Sequence, residues 1–324
     1  GLEDPYATLI FYPSDASGPD TLYIGDKTPA SSNCYVRSGD NDTVIVAREM
    51  THNVVNKNLY HLRDKNFLYI PSPSIDSMQA TGAAGPITLS RGIMGWHIEE
   101  ARIPADAARI ESYLNDLTLA IIRGFAREDT DSLALYGLEH PDGQISIFTA
   151  GDEIKIEIGS EKQDQVYVTR TGIEKVLLVE KKVVAPLDWT LDEIRSRSLS
   201  FFEPADVTEI ICDIPGRSVT LERDPTGWSV DGIPVDLEKP LNILRMIKEA
   251  RFESFTGDLG AGFLDSTSTF LMRITLNGSG GQRIDRIIFY SGRSGSLGAA
   301  SATSGVRGIV PPEKSEEIEL SLIH

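Results

Sequence analysis

The chain has 324 residues, 40% hydrophobic and 24% charged, with 28 Gly, 17 Pro and 2 Cys. That composition is globular rather than disordered or fibrous, and the length suits two domains or one repeat array. The 48 acidic residues against 31 basic ones leave a formal net charge of −17, which argues against nucleic acid and against an anionic membrane surface, since both are bound by clustered Lys and Arg.

Residues 1–66 predict four short strands and a helical segment. Leu9 and Phe11, Leu22 and Ile24, Tyr35, then Val44 and Val46 show the period-two spacing of half-buried strands. Ser38-Gly39-Asp40-Asn41 turns the chain between the last two strands, and Asn58 takes the helix cap position. Residues 67–136 predict a further strand group and a longer helix. Pro86-Ile87-Thr88-Leu89 reads as a strand, Trp96 lies in the next, and Asp106 is the N-cap of a helix carrying Ile110, Tyr113, Leu114, Leu117 and Ile121.

The first pattern returns over residues 137–200, with Thr171-Gly172 as its turn. There Thr190 and Glu193 fit a capping box, and Trp189 with Ile194 fits a hydrophobic staple. Over residues 201–262 the second pattern returns as Ser218-Val219-Thr220-Leu221, then Trp228, then Asp236 as N-cap, then Leu237, Leu241, Leu244 and Ile247. Residues 263–324 begin the first pattern a third time. Leu271 to Leu276 and Ile284 to Tyr290 around Asn277-Gly278 predict a hairpin. The Gly, Ser, Ala and Thr of 291–305 predict a mobile loop, and 313–322 a helix.

These parallels amount to an internal repeat. Tyr35 to Tyr167, Arg63 to Arg195 and Trp96 to Trp228 are each separated by 132 residues, and three landmarks at one spacing point to duplication. Each half supplies a small antiparallel sheet and a helix to cover one face of it, so the fold class is α+β built of tandemly repeated units. Residues 1–66 and 67–136 are the halves of the first copy, 137–200 and 201–262 those of the second, and 263–324 a partial third. A first half with no second half before it leads to the expectation that the native chain extends ahead of Gly1.

Chemistry is harder to find. Cys34 and Cys212 lie in different halves of different copies and form no Cys-x-x-Cys pair, so both are expected as buried free thiols. His52, His61, His97, His140 and His324 make no metal-ligand spacing. Asp129-Thr130-Asp131 and Asp40-Asn41-Asp42 suggest calcium only superficially, because the first has Ala134 and His140 where the loop pattern needs Gly and Glu. Gly292, Gly295 and Gly298 are not followed by the Lys of a phosphate loop. No cofactor, metal or catalytic residue is therefore assigned. Trp96 and Trp228 are the candidate ligand or partner contacts, set against the plainer expectation of core tryptophans between sheet and helix. Arg63 and Arg195, closing the helix of each first half, are read as cations at a helix C-terminus, and with Tyr35 and Tyr167 they are structural residues of the repeat.

In these repeated residues the chain resembles the bacterial family called domain of unknown function 4340. The matching features are Ile24-Gly25 and Ile158-Gly159, Tyr35-Val36 and Tyr167-Val168, and the helix closing on Leu62-Arg63-Asp64-Lys65 and Ile194-Arg195-Ser196-Arg197. The Gly-Trp strand followed by a Pro-Asp-started helix completes the set. The resemblance implies an N-terminal membrane anchor, an extracytoplasmic body (periplasmic or cell-surface side) and neighbourhood to transporters of the gliding-motility type. It brings no catalytic residues.

Together these readings predict a non-enzymatic, membrane-tethered accessory or scaffold protein of the bacterial envelope, with protein partners in a membrane complex. The alternative is a glycan- or peptide-binding module using an exposed tryptophan or the 291–305 loop. A hydrolase with paired carboxylates stands last, since it needs convergent acids of strongly shifted pKa.

Overall fold

The structure is a computed structural model that describes residues 1–14, 18–29, 33–83, 85–93, 95–127, 133–258, 269–291 and 296–311. The chain divides into two compact units, Gly1–Lys65 and Asn66–His324. Among the described residues no helix is long and apolar enough to cross a membrane.

The first unit is a four-stranded antiparallel meander of β1 (Ala7–Phe11), β2 (Asp20–Lys27), β3 (Cys34–Ser38) and β4 (Val44–Ala47). Two short helices follow, α1 (Glu49–Val55) and α2 (Leu59–Leu62). Its small core is Ile24, Cys34 and Val36, with Leu9, Leu22 and Val55 packed against them. His52 of α1 is buried and stacks on Tyr6 with ring centroids 4.1 Å apart.

The second unit holds two nine-stranded antiparallel sheets. One contains β5 (Ile75–Gly82), β6 (Gly85–Gly92), β7 (Gly95–Ile98), β8 (Ile103–Pro104) and β9 (Gly124–Arg127), together with β10 (Gly143–Thr149), β11 (Glu153–Lys162), β12 (Gln165–Arg170) and β13 (Ile173–Glu180). Its strand order is β8-β7-β6-β5-β10-β11-β12-β13-β9. The other contains β14 (Glu209–Ile214), β15 (Arg217–Asp224), β16 (Gly227–Val230), β17 (Ile233–Pro234) and β18 (Ser254–Asp258), together with β19 (Thr269–Asn277), β20 (Arg283–Ser291), β21 (Leu297–Ser301) and β22 (Val306–Ile309). Its order is β17-β16-β15-β14-β19-β20-β21-β22-β18, the same arrangement strand for strand. The helices α3 (Ala107–Thr118) and α5 (Glu238–Glu249) occupy matching places between the fourth strand and the returning edge strand. Between the sheets in sequence lies the one-turn helix α4 (Leu191–Ile194).

Register carries the match to single residues. A row of paired residues crosses the first of these sheets as Ile103, Ile98, Leu89, Met78, Ile147 and Ile154. The corresponding row in the other reads Ile233, Val230, Leu221, Ile210, Leu276 and Asp285. These rows follow from alternation, since residues paired across a ladder point to the same side of the sheet; the second row leaves the core at Ile233, which is exposed.

Local chemistry explains the element ends. Asp106 accepts from the Arg109 N–H at 3.1 Å and starts α3, and Asn58 accepts from the His61 N–H at 3.3 Å and starts α2. The Thr190 N–H and hydroxyl both donate to Glu193 Oε2 at 2.9 Å, which fixes α4. Gly95 and Gly227 have φ of +103° and +141°, values that L side chains rarely adopt, so the residue before each tryptophan must be glycine.

Several expectations are corrected. The α5 helix begins after Leu237 rather than after Asp236, although Asp236 Oδ1 still accepts from the Glu238 N–H at 3.1 Å. Its buried face is Pro240, Ile243, Leu244 and Ile247, so Leu237 and Leu241 point outward. Ile121 lies beyond α3 and is exposed. Most consequentially, the segment expected as a mobile loop contains β21, a fully buried strand inside the sheet. Its small residues are there because neighbours press close: a Cβ on Gly298 would stand 2.2 Å from the Tyr290 ring, and Ala299 and Ala300 are wholly buried. Residues 292–295 of that segment, Asp129-Thr130-Asp131, His324 and the helix expected over 313–322 lie outside the described residues.

Candidate functional site

Trp96 and Trp228 are 2% and 3% exposed, so neither indole offers a face to a ligand. The candidate role as ligand or partner contacts is not supported, and the plainer expectation describes them: each ring sits on the third strand of its sheet, where an amphipathic helix closes over it. Their polar edges differ. The Trp96 indole N–H donates to Glu111 Oε1 at 2.8 Å, Arg91 Nη1 reaches the same oxygen at 2.7 Å, and the Arg91 guanidinium lies 4.6 Å from the Trp96 ring centroid. Ser72 donates to the other Glu111 oxygen at 3.4 Å. Partial burial pushes the Glu111 carboxyl up, but the Trp96 and Arg91 hydrogen bonds and the Arg91 charge outweigh it and hold the group below its usual range. In the other sheet Arg223 is paired with Trp228 as Arg91 is with Trp96. Leu241 takes the helix position of Glu111, and the Trp228 N–H has no partner among the described residues.

Arg63 and Arg195 each stand at the C-cap, and their backbone N–H groups donate to Leu59 O and Leu191 O. The Arg195 side chain is buried, pairs with Asp192, and lies 3.6 Å from the Phe255 ring centroid. That is a helix-terminal cation turned to packing. Tyr35 pairs with Val46 across β3 and β4, and Tyr167 with Leu178 across β12 and β13, its ring 4.8 Å from that of Tyr136.

Cys34 and Cys212 are buried free thiols. Burial first, and the neighbouring Asp213 second, push the Cys212 thiol up to about 12, which makes it unreactive. The histidines bind locally: His61 Nδ1 lies 2.7 Å from Asn58 Oδ1, and His97 Nδ1 lies 3.0 Å from the Gly95 carbonyl. Among the described residues no three metal-ligating side chains converge. Asn41 of the Asp-Asn-Asp run accepts from the Thr43 N–H at 2.8 Å, a turn role.

Sequence reading missed Asp285. This carboxylate is buried in the sheet row where the other sheet has Ile154. It accepts from the hydroxyls of Ser200, Ser301 (2.9 Å) and Thr303 (2.8 Å), and from the N–H groups of Thr303 (3.1 Å) and Arg286 (2.7 Å). All these donors are neutral, so the group anchors the 198–201 segment and the β21–β22 turn to β20. A signal was available: an aspartate inside the alternating strand Ile284-Asp285-Arg286-Ile287 at a core-facing position.

Open depressions mark the surface. One of about 300 Å³ is lined by Glu209, Glu222, Arg223, Asp224 and the Gly278–Gly281 turn. Asp224 Oδ1 there accepts from the Thr226 hydroxyl and N–H and from the Gly227 N–H, which hold its pKa down. The same direction holds for Glu157, Glu180, Glu193 and Asp213, whereas a general acid needs its pKa raised.

The least satisfied surface is on the first sheet. Apolar side chains of β1 and β4 stand in water there, and neither strand has an outer neighbour among the described residues.

With this geometry in place, the class of protein is clear: an α+β protein of antiparallel sheets. The chain belongs to the family described as Domain of unknown function (DUF4340), which matches residues 1–99 and again 96–267. No curated protein and no solved structure matches the chain.

Proposed function

We propose that the chain is a duplicated α+β array serving as a non-enzymatic, extracytoplasmic accessory or scaffold protein of a bacterial envelope complex of transporter type, tethered by an N-terminal anchor. The identical strand order of the two nine-stranded sheets carries the reading. A chain that spends most of its length on repeated sheet packing presents long surfaces to other proteins, which is what repeat architectures do. The two family matches along the chain support the duplication.

The test is topological. Both native thiols are buried, so a single Glu222→Cys variant of the full-length protein gives one exposed label site. A membrane-impermeant maleimide should label it in cells whose inner membrane is intact, and the protein should sediment with membranes. Labelling only after lysis, in the freely soluble fraction, overturns the proposal.

A further inference from the structure

The described residues contain three four-stranded meanders, and only two have neighbours on both sides. In each nine-stranded sheet the meander's first strand pairs with an earlier strand (β10 with β5, β19 with β14), and its last pairs with a returning strand (β13 with β9, β22 with β18). In both cases the flanking strands and the covering helix come from the stretch of chain immediately ahead of the meander. The meander β1–β4 has the same order and the same pairings, with Ala7 opposite Ile24 as Gly143 is opposite Ile158. Its outer edges are bare among the described residues.

Its side chains are nevertheless those of a completed sheet. Phe11, Val44, Ile45 and Val46 are between 51 and 58% exposed. The residues at their matching positions, Ile147, Val176, Leu177 and Leu178, are at most 9% exposed. In the completed sheet Val176, Leu177 and Leu178 are paired with Arg127, Phe125 and Gly124 of β9, and Ile147 is paired with Met78 of β5. Consecutive apolar residues on a bare strand edge are a liability that proteins normally cover.

We propose that the edges of β1 and β4 are docking edges for a segment of the same build as residues 67–127, supplied by the native polypeptide ahead of β1. Its fourth-from-edge strand would pair with β1, its returning strand with β4, and its helix would lie over the face. The chemistry required is specific: an antiparallel strand rich in β-branched residues for each edge, and an amphipathic helix between them. This deepens the array reading and rests on it.

A second copy of residues 67–136 grafted ahead of Gly1 tests the docking in the full chain. The junction is natural, because Gly1-Leu2-Glu3 then follows Tyr136 as Gly137-Leu138-Glu139 does. Amide exchange along β1 and β4 should slow by about tenfold or more, while β5–β22 stay unchanged. A second readout pairs Ile45→Cys with Phe125→Cys in the grafted copy, matching the Leu177–Phe125 pair, and the disulfide should form within one chain. The native reading frame should also show a Gly-Trp pair about 40 residues ahead of Gly1, the spacing from Trp96 to Gly137. Unchanged exchange with no disulfide overturns the proposal, as does a reading frame without that pattern. Protection of β1 and β4 in the ungrafted chain that grows with concentration also overturns it, because the occupant is then a second copy. None of these outcomes bears on the cell-surface labelling, so the scaffold reading stands or falls separately.

Discussion

The two nine-stranded sheets of the second unit share strand order, register and helix placement, yet they fill equivalent positions differently. One sets the charged pair Arg91 and Glu111 against its tryptophan, and the other has the outward-facing Leu241 at the helix position of Glu111. One ends its central row on Ile154, and the other on a buried aspartate held by three hydroxyls. The topology therefore depends on where apolar residues alternate and where turns fall, not on the identity of any one contact. The individual contacts set how stable each sheet is.

The comparison is broken most severely at what the sheets have in common. Trp228→Ala and Trp96→Ala should each cost about 3–5 kcal/mol in denaturant unfolding, since both leave a large cavity under a helix. A loss below about 1 kcal/mol at either site would mean that the ring is not core.

Next in size is the buried aspartate. Asp285→Ala removes the acceptor shared by three hydroxyls and two N–H groups and should cost about 3 kcal/mol. Ile154→Ala in the matching place should cost less, because that residue is only partly buried. Equal losses would contradict the assigned role of the hydrogen bonds.

A finer contrast separates the tryptophans. Phenylalanine keeps the apolar ring and removes the indole N–H, so Trp96→Phe should exceed Trp228→Phe by about 1.5–2 kcal/mol, the lower part of the range for a hydrogen bond to a charged acceptor. The reverse order would remove Glu111 from the account.

The pH dependence should follow the same contrast. Glu111 has a folded pKa below its ordinary 4.5, so its contribution is complete above that value and is lost as pH falls through the lowered one. Glu111→Leu, which copies Leu241, should flatten the acid limb of the stability profile below about pH 4.5. An unchanged limb would assign acid sensitivity to the other carboxylates. The smallest effect is expected at Leu241→Ser, within about 0.5 kcal/mol, because that side chain is 42% exposed and lies off the buried face of the helix.

Much of this was legible in advance, for particular reasons. The hairpin of β19 and β20 was marked by alternation on both sides of Asn277-Gly278, and α3 by Asp106 with its apolar face at helical spacing. The 132-residue spacing marked Trp96 and Trp228 as a pair, and their strand setting favoured the core, but their burial had to be seen, because an aromatic in a strand pattern also suits a groove. The error at 291–305 came from reading Gly and Ala as loop residues when they were small because Tyr290 and the neighbouring strand stand so close. The error in α5 came from choosing leucines over Pro240 and Ile243, which fill the same face.

Sequence alone marked the alternation that makes the strands, the caps that begin α2 and α3, and the family. These are local in the chain or depend only on comparing one stretch with another. Tertiary structure decided which strands share a sheet. The family matches run 1–99 and 96–267, whereas one nine-stranded sheet takes strands from both matched stretches and the other runs past residue 267, because a strand's two edges must be satisfied by whatever folds beside it rather than by what belongs to it in sequence. The same long-range rule buried Asp285, withdrew both tryptophans from solvent, and left Val44, Ile45 and Val46 of β4 exposed.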